Sequence, residues 1–77
     1  MKNIAIIGSG SWGVALAVYL ANVGNNVKIW SFSEEEKDLI NKERKCKFLP
    51  GLNLPDKIYC SNYFEEVIKD YEFILHV

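Results

Sequence analysis

The sequence has little of what builds a disulfide-stapled, metal-bound or membrane-embedded protein. It carries two cysteines and one histidine. Cys46 and Cys60 stand far apart, outside any C-x-x-C pair and without a histidine at ligand spacing, which argues against a disulfide framework or a zinc site. No apolar run approaches the roughly 18 to 20 residues that cross a bilayer. Strand-like sequence begins almost at once, so no leader peptide is expected and the cytoplasm is the default compartment. A formal net charge of −1 gives no general attraction to nucleic acid or to an anionic membrane. Linkers and internal repeats are missing too.

What remains is the composition of an ordinary globular protein, 49% hydrophobic and 25% charged. Seventy-seven residues make one small domain at most, or part of one. A chain this short buries only about 60% of its unfolded surface, so its stability alone is expected to be marginal.

The stretch that organises the chain is Gly8-Ser9-Gly10-Ser11-Trp12-Gly13. It lies between the apolar run Ile4-Ala5-Ile6-Ile7 and an apolar-periodic segment from Val14 to Val23. Strand, glycine turn and helix in that order is the context in which G-x-G-x-x-G points to a dinucleotide site. Gly8 lets the chain leave the strand in a tight turn. Gly10, lacking a β-carbon, allows the backbone to approach a pyrophosphate, and Gly13 lets the first helical turn pack on the strand. The helix start offers unpaired N–H groups and a positive dipole end to the phosphates.

The rest of the chain repeats this alternation. The helix from about Ser11 to Val23 carries Leu16, Leu20 and Val23 on an apolar stripe, with Gly13, Ala17 and Ala21 as a smooth ridge for the sheet. Gly24 suits the C′ position beyond it. Val27 to Ser31 reads as the second strand, completing a βαβ unit. Ser33 followed by Glu34-Glu35-Glu36 predicts a helix start with a capping box closed by Glu36, running to about Lys42. Asn41 to Lys57 reads as a loop, Ile58 to Cys60 as a short strand, Tyr63 to Lys69 as a short helix and Phe73 to Val77 as a last strand. The fold class is α/β, a doubly wound Rossmann-like parallel sheet comprising the first βαβαβ half and a fourth strand. That strand would leave an unpaired apolar edge, an invitation to self-association, and the chain reads as the amino-terminal portion of a larger protein.

Three motifs now resemble one family. Ile7-Gly8-Ser9-Gly10-Ser11-Trp12-Gly13-Val14-Ala15-Leu16-Ala17 is similar to the fingerprint of bacterial-type NAD(P)-dependent glycerol-3-phosphate dehydrogenases. Val27-Lys28-Ile29-Trp30 resembles that family's second strand, and Phe48-Leu49-Pro50-Gly51 with Leu54-Pro55 and Ile58 resembles its Leu-Pro-Gly loop. The resemblance implies reversible hydride transfer between NAD or NADP and dihydroxyacetone phosphate, making sn-glycerol 3-phosphate for phospholipid synthesis. It also implies that the catalytic lysine and the substrate domain lie in later sequence. Residues 1–77 would then be a partial NAD(P)-binding domain without catalytic residues, inactive alone. A small phosphorylated substrate would bind only the full-length protein.

The cofactor candidates are Gly8, Gly10, Ser11, Trp12, Gly13, Ser31, Phe32, Ser33 and Phe48. Family contacts map onto Ser11 and Trp12: Ser11 can donate its hydroxyl or N–H, and Trp12 can lie along the cofactor or pack under the second strand. At the tip of that strand an NAD-selecting domain places Asp or Glu, whereas Ser31-Phe32-Ser33 stands here. Phe32, where the family often has Arg or His, can stack on adenine but cannot neutralise charge. Ser31 and Ser33 can hydrogen-bond a 2′-phosphate, with Lys37 one turn on, which tilts the choice to NADPH or to no strong preference. Ser33 is equally a plain helix cap, and Phe48 equally a loop anchor. Lys42, Arg44, Lys45 and Lys47 read as a solvated face rather than a nucleic-acid patch, and His76 lacks a partner that would make it a base.

Two other functions fit the same residues. One is a two-domain dehydrogenase acting on a hydroxy acid or an opine. The other is a stand-alone nucleotide-binding module or gene remnant without catalysis.

Overall fold

Asn3–Ile7 forms the first strand, β1, and the buried side chains of Ile4 through Ile7 show that it is covered on both faces. The computed structural model describes residues 2–8, 10–46, 51–69 and 71–76, and the side chain of Ser11 lies outside the described set. Helix α1 spans Ser11–Asn22 and strand β2 Asn26–Trp30. Helix α2 covers Glu34–Asp38 and continues into a wider π-type turn over Leu39–Glu43. Strand β3 is Ile58–Ser61, helix α3 Phe64–Ile68 and strand β4 Phe73–His76. All pairings are parallel, in the order β3-β2-β1-β4. This is the first half of a doubly wound α/β sheet with a fourth strand beside the first, as expected from the sequence.

Alternation along the strands sorts side chains onto two faces. Ile4, Ile6, Val27, Ile29, Ile58 and Cys60 meet Val14, Ala17 and Ala21 of α1, together with Ile40 and Leu54. The opposite face is thinner: Ala5 and Ile7 pack on Val67 of α3, with Trp30, Ile68 and Tyr71 around them.

The ridge of small residues, rather than the leucine stripe, forms the deep face of α1. Ala17 is fully buried, whereas Leu16 and Leu20 only lean on the core and Val23 is 60% exposed. Small side chains win this face because they bring the helix closest to the sheet. The helix ends where Gly24, at φ 105°, turns the chain. The Gly24 and Asn25 N–H groups donate to the carbonyls of Ala21 (3.0 Å) and Leu20 (3.1 Å), a Schellman closure. Several boundaries differ from expectation. Residues Asn41 to Glu43 are helical, so the loop starts at Arg44, which holds a left-handed conformation at φ 56°. Ser31 lies just past β2, and the strand begins one residue earlier, at Asn26.

Candidate functional site

The carboxyl ends of the strands form one edge. Register sets Ile7 beside both Trp30 and His76, and Trp30 beside Ser61. The turn after β1, the tip of β2 and the turn after β3 therefore lie side by side, where ligands bind in sheets of this kind.

In the first turn the glycines separate by function. Gly8 adopts φ 124°, a conformation that favours glycine, and its N–H donates to the Trp30 carbonyl at 3.2 Å. A β-carbon on Gly13 would come within 2.6 Å of the Gly8 carbonyl oxygen, so only glycine lets α1 start this close to the strand. Gly10, the N-cap of α1, has ordinary extended backbone, and a β-carbon there would meet nothing within 4 Å. The space above it is open to a ligand. Among the described residues no side chain caps this helix start, and no acidic residue occupies its first turn. Its leading N–H groups and positive dipole end are thus left for an anion. Trp12 is 80% exposed and does not pack under β2. Its ring is available at the rim of the turn.

At the tip of β2 the three candidates are placed differently. Ser31 is buried; its N–H donates to the Ser61 carbonyl and its Oγ accepts from the Ser33 N–H at 3.1 Å. Ser33 Oγ accepts from the Glu36 N–H at 3.2 Å and caps α2. The reciprocal half of the expected capping box is replaced, because the Ser33 N–H is taken by Ser31 and Glu36 Oε1 is buried without a partner. Phe32 projects outward, 86% exposed, with its ring centroid 6.5 Å from that of Trp30. No carboxylate stands on this Ser-Phe-Ser tip. Lys37 forms an ion pair with Asp38 at 4.0 Å.

Phe48 lies outside the described residues. His76 is exposed at the end of β4. Arg44 is not part of a solvated basic face: its guanidinium donates to the carbonyls of Pro55 and, at 2.7 Å, Ile58, tying the loop to β3. Lys42 does remain exposed, paired with Asp38 at 3.8 Å.

Asn62, in the turn after β3, escaped the sequence reading. Its Nδ2 donates to the carbonyls of Ser31 (2.8 Å) and Ser33 (3.2 Å), and its own carbonyl accepts from Trp30 Nε1 at 3.0 Å. These partners lie about thirty positions away in sequence, so no local pattern announces them. Cys60 is buried in the core; burial pushes its thiol up to about 12, and the Glu36 carboxylate adds in the same direction. Such a thiol is inert at neutral pH. Among the described residues no group of acidic, histidine or cysteine side chains could hold a metal ion, and no helix is long and apolar enough to cross a membrane.

Comparison with known proteins agrees with this geometry. The sequence profile for the NAD-dependent glycerol-3-phosphate dehydrogenase N-terminus matches residues 3–77. Glycerol-3-phosphate dehydrogenase [NAD(P)+] of Agathobacter rectalis is 42% identical over 76 residues, covering 97% of this chain and 23% of the relative. The Bacillus thuringiensis protein of the same name is 41% identical over 78 residues, covering 100% and 23%. Among solved structures, glycerol-3-phosphate dehydrogenase from Coxiella burnetii superposes with a TM-score of 0.90 at 32% identity, over 97% of this chain and 23% of that one. The Saccharomyces cerevisiae enzyme gives 0.88 at 28% identity, over 99% and 26%. The chain thus spans about a quarter of the length of the proteins it matches. It belongs to the family of amino-terminal NAD-binding regions of glycerol-3-phosphate dehydrogenases.

Proposed function

We propose that this chain is the first part of the cofactor domain of an enzyme that reduces dihydroxyacetone phosphate to sn-glycerol 3-phosphate with NADPH or NADH. The product would serve glycerophospholipid synthesis. The observation that carries the reading is the division of labour in the glycine turn, with Gly13 held tight against Gly8 and open space above Gly10 at a helix start that no described side chain caps. That arrangement suits a pyrophosphate, whose charge the N–H groups and the helix dipole would stabilise. The bound nicotinamide would supply the hydride. This chain's own residues bind and orient: Gly10, Ser11 and Trp12 at the phosphates, and Phe32 and Ser33 at the adenosine ribose, with the buried Ser31 supporting them from below.

The absence of a carboxylate from Ser31-Phe32-Ser33 itself tilts the choice weakly to NADPH or to no strong preference, with Glu34, Glu35 and Glu36 of the adjoining helical turn opposing a 2′-phosphate. Substrate binding and proton transfer are assigned to sequence beyond residue 77, which makes the chain a partial domain. Cytoplasmic work is in keeping with Cys46 and Cys60, both free and buried.

The test is an assay of the natural-length polypeptide. Loss of NADPH fluorescence that depends on dihydroxyacetone phosphate is the expected result. Dinucleotide binding without turnover would instead mark a binding module.

A further inference from the structure

We infer that Asn62 is a positioning residue for the cofactor's adenosine half, acting through the tip of β2. The inference rests on the reading of the chain as a dinucleotide-binding domain. The tip has to present Phe32 and Ser33 in one fixed arrangement, over a Ser31 that is buried beneath them. Ser31 and Ser33 are held by backbone and hydroxyl bonds on either side, but Phe32 between them is 86% exposed and contributes almost no burial.

The Asn62 amide binds both carbonyls that flank Phe32, those of Ser31 at 2.8 Å and Ser33 at 3.2 Å. Its backbone carbonyl takes the Trp30 indole N–H at 3.0 Å, and Trp30 in turn sits beside the Phe32 ring. Asn62 is therefore the side chain that ties the strand end before Phe32 to the helix cap after it. Its own place is fixed as well. The Tyr63 N–H donates to Ser61 Oγ at 3.1 Å, and the Ser61 carbonyl accepts the Ser31 N–H at 3.0 Å. Asn62 thus joins the β3 turn to the β2 tip. Loss of the amide would take its donor from the Ser31 carbonyl, leave the Ser33 carbonyl only the Lys37 N–H at 3.1 Å, and let the tip sample other conformations. Ordering it again would then oppose ligand binding.

The same geometry excludes an isosteric acid at this position. An aspartate would aim a negative oxygen at the Ser31 and Ser33 carbonyls, where the amide now donates. Asn62→Asp keeps the shape and reverses the interaction, so it separates hydrogen bonding from packing.

The experiment measures dissociation constants of the natural-length polypeptide for AMP, 2′,5′-ADP and reduced nicotinamide mononucleotide. It compares the parent with Asn62→Ala and Asn62→Asp and records melting temperatures alongside. Both variants should weaken AMP and 2′,5′-ADP about fivefold to tenfold, the equivalent of a lost buried hydrogen bond. Nicotinamide mononucleotide, which does not touch the β2 tip, should bind as in the parent. A purely structural role would lower the melt and leave the ratio of adenosine-side to nicotinamide-side affinities unchanged, and that outcome overturns the inference. Unaltered AMP affinity in both variants overturns it as well. A parent that binds none of the three ligands would overturn the reading of the domain itself.

Discussion

The carbonyl oxygen of Gly8 lies 2.6 Å from the point where a β-carbon on Gly13 would stand. Helix α1 can begin against β1 only because residue 13 has no side chain. Since the obstructing atom is backbone, Gly13→Ala must displace the turn or the helix, at a cost of about 1–3 kcal/mol. Gly10→Ala is the control. It has free space and ordinary backbone, and the gain from a stiffer unfolded chain offsets the weaker cap, so stability should stay within about 0.5 kcal/mol of the parent. Denaturant unfolding of both variants checks the contrast. Equal stabilities would remove the close approach from the account.

Ser33 carries the start of α2, with Oγ accepting from the Glu36 N–H at 3.2 Å. Three glutamates crowd that first turn and favour the helix dipole, yet none caps the Ser33 N–H. Ser33→Ala should therefore cost about 1 kcal/mol and Ser33→Gly only a few tenths. Unfolding curves that rank glycine below alanine would show that the cap is not what holds α2.

Alkali should destabilise the fold through Cys60. Its thiol is raised from 9.0 to about 12 by burial and by Glu36, so the folded protein keeps a proton that the unfolded chain gives up. Stability from this group is whole below about pH 9 and is lost as pH rises toward 12. Burial also raises Tyr71, with Glu66 adding to it, which acts in the same direction. Melting temperature should fall across this window, and Cys60→Ala should make the fall shallower. A slope unchanged by that substitution would assign the alkaline loss elsewhere.

Strand β4 is exposed at every position, with Phe73 and Ile74 each 52% and Leu75 37% accessible. Among the described residues it pairs only with β1, so its other edge is free. The isolated 77-residue polypeptide should therefore sediment as species heavier than 8.8 kDa. Ile74→Lys should shift it toward the monomer. A monodisperse parent at 8.8 kDa would show that the edge is not adhesive.

Local pattern and physical outcome coincide most closely where a residue's neighbours in sequence are also its neighbours in space. The apolar run before Gly8, the glycine spacing and the turn at Gly24 were all legible for that reason. The small-residue ridge of Ala17 and Ala21 is legible too and lies deepest, whereas of the apolar stripe Leu16 and Leu20 only lean on the core and Val23 stays 60% exposed, because close helix-to-sheet approach favours the smaller side chain. Arg44 looked like one cation in a basic run, but its partners are carbonyls of a later loop and strand. Asn62 was invisible because its bonds reach back to Ser31 and Ser33 across a crossover. Of the tip itself, sequence could list Ser31, Phe32 and Ser33 as candidates. It could not tell that Ser31 turns inward while Phe32 faces out.

Titration of the natural-length parent and its Gly10→Ala variant with NADPH tests the proposed pyrophosphate cradle of the glycine turn most directly. The parent should bind saturably. The variant, equally stable, should bind about tenfold more weakly or worse, because a methyl group in the cradle holds the phosphates away from the N–H groups. Equal affinity in the two proteins, or no binding to the parent, would contradict it.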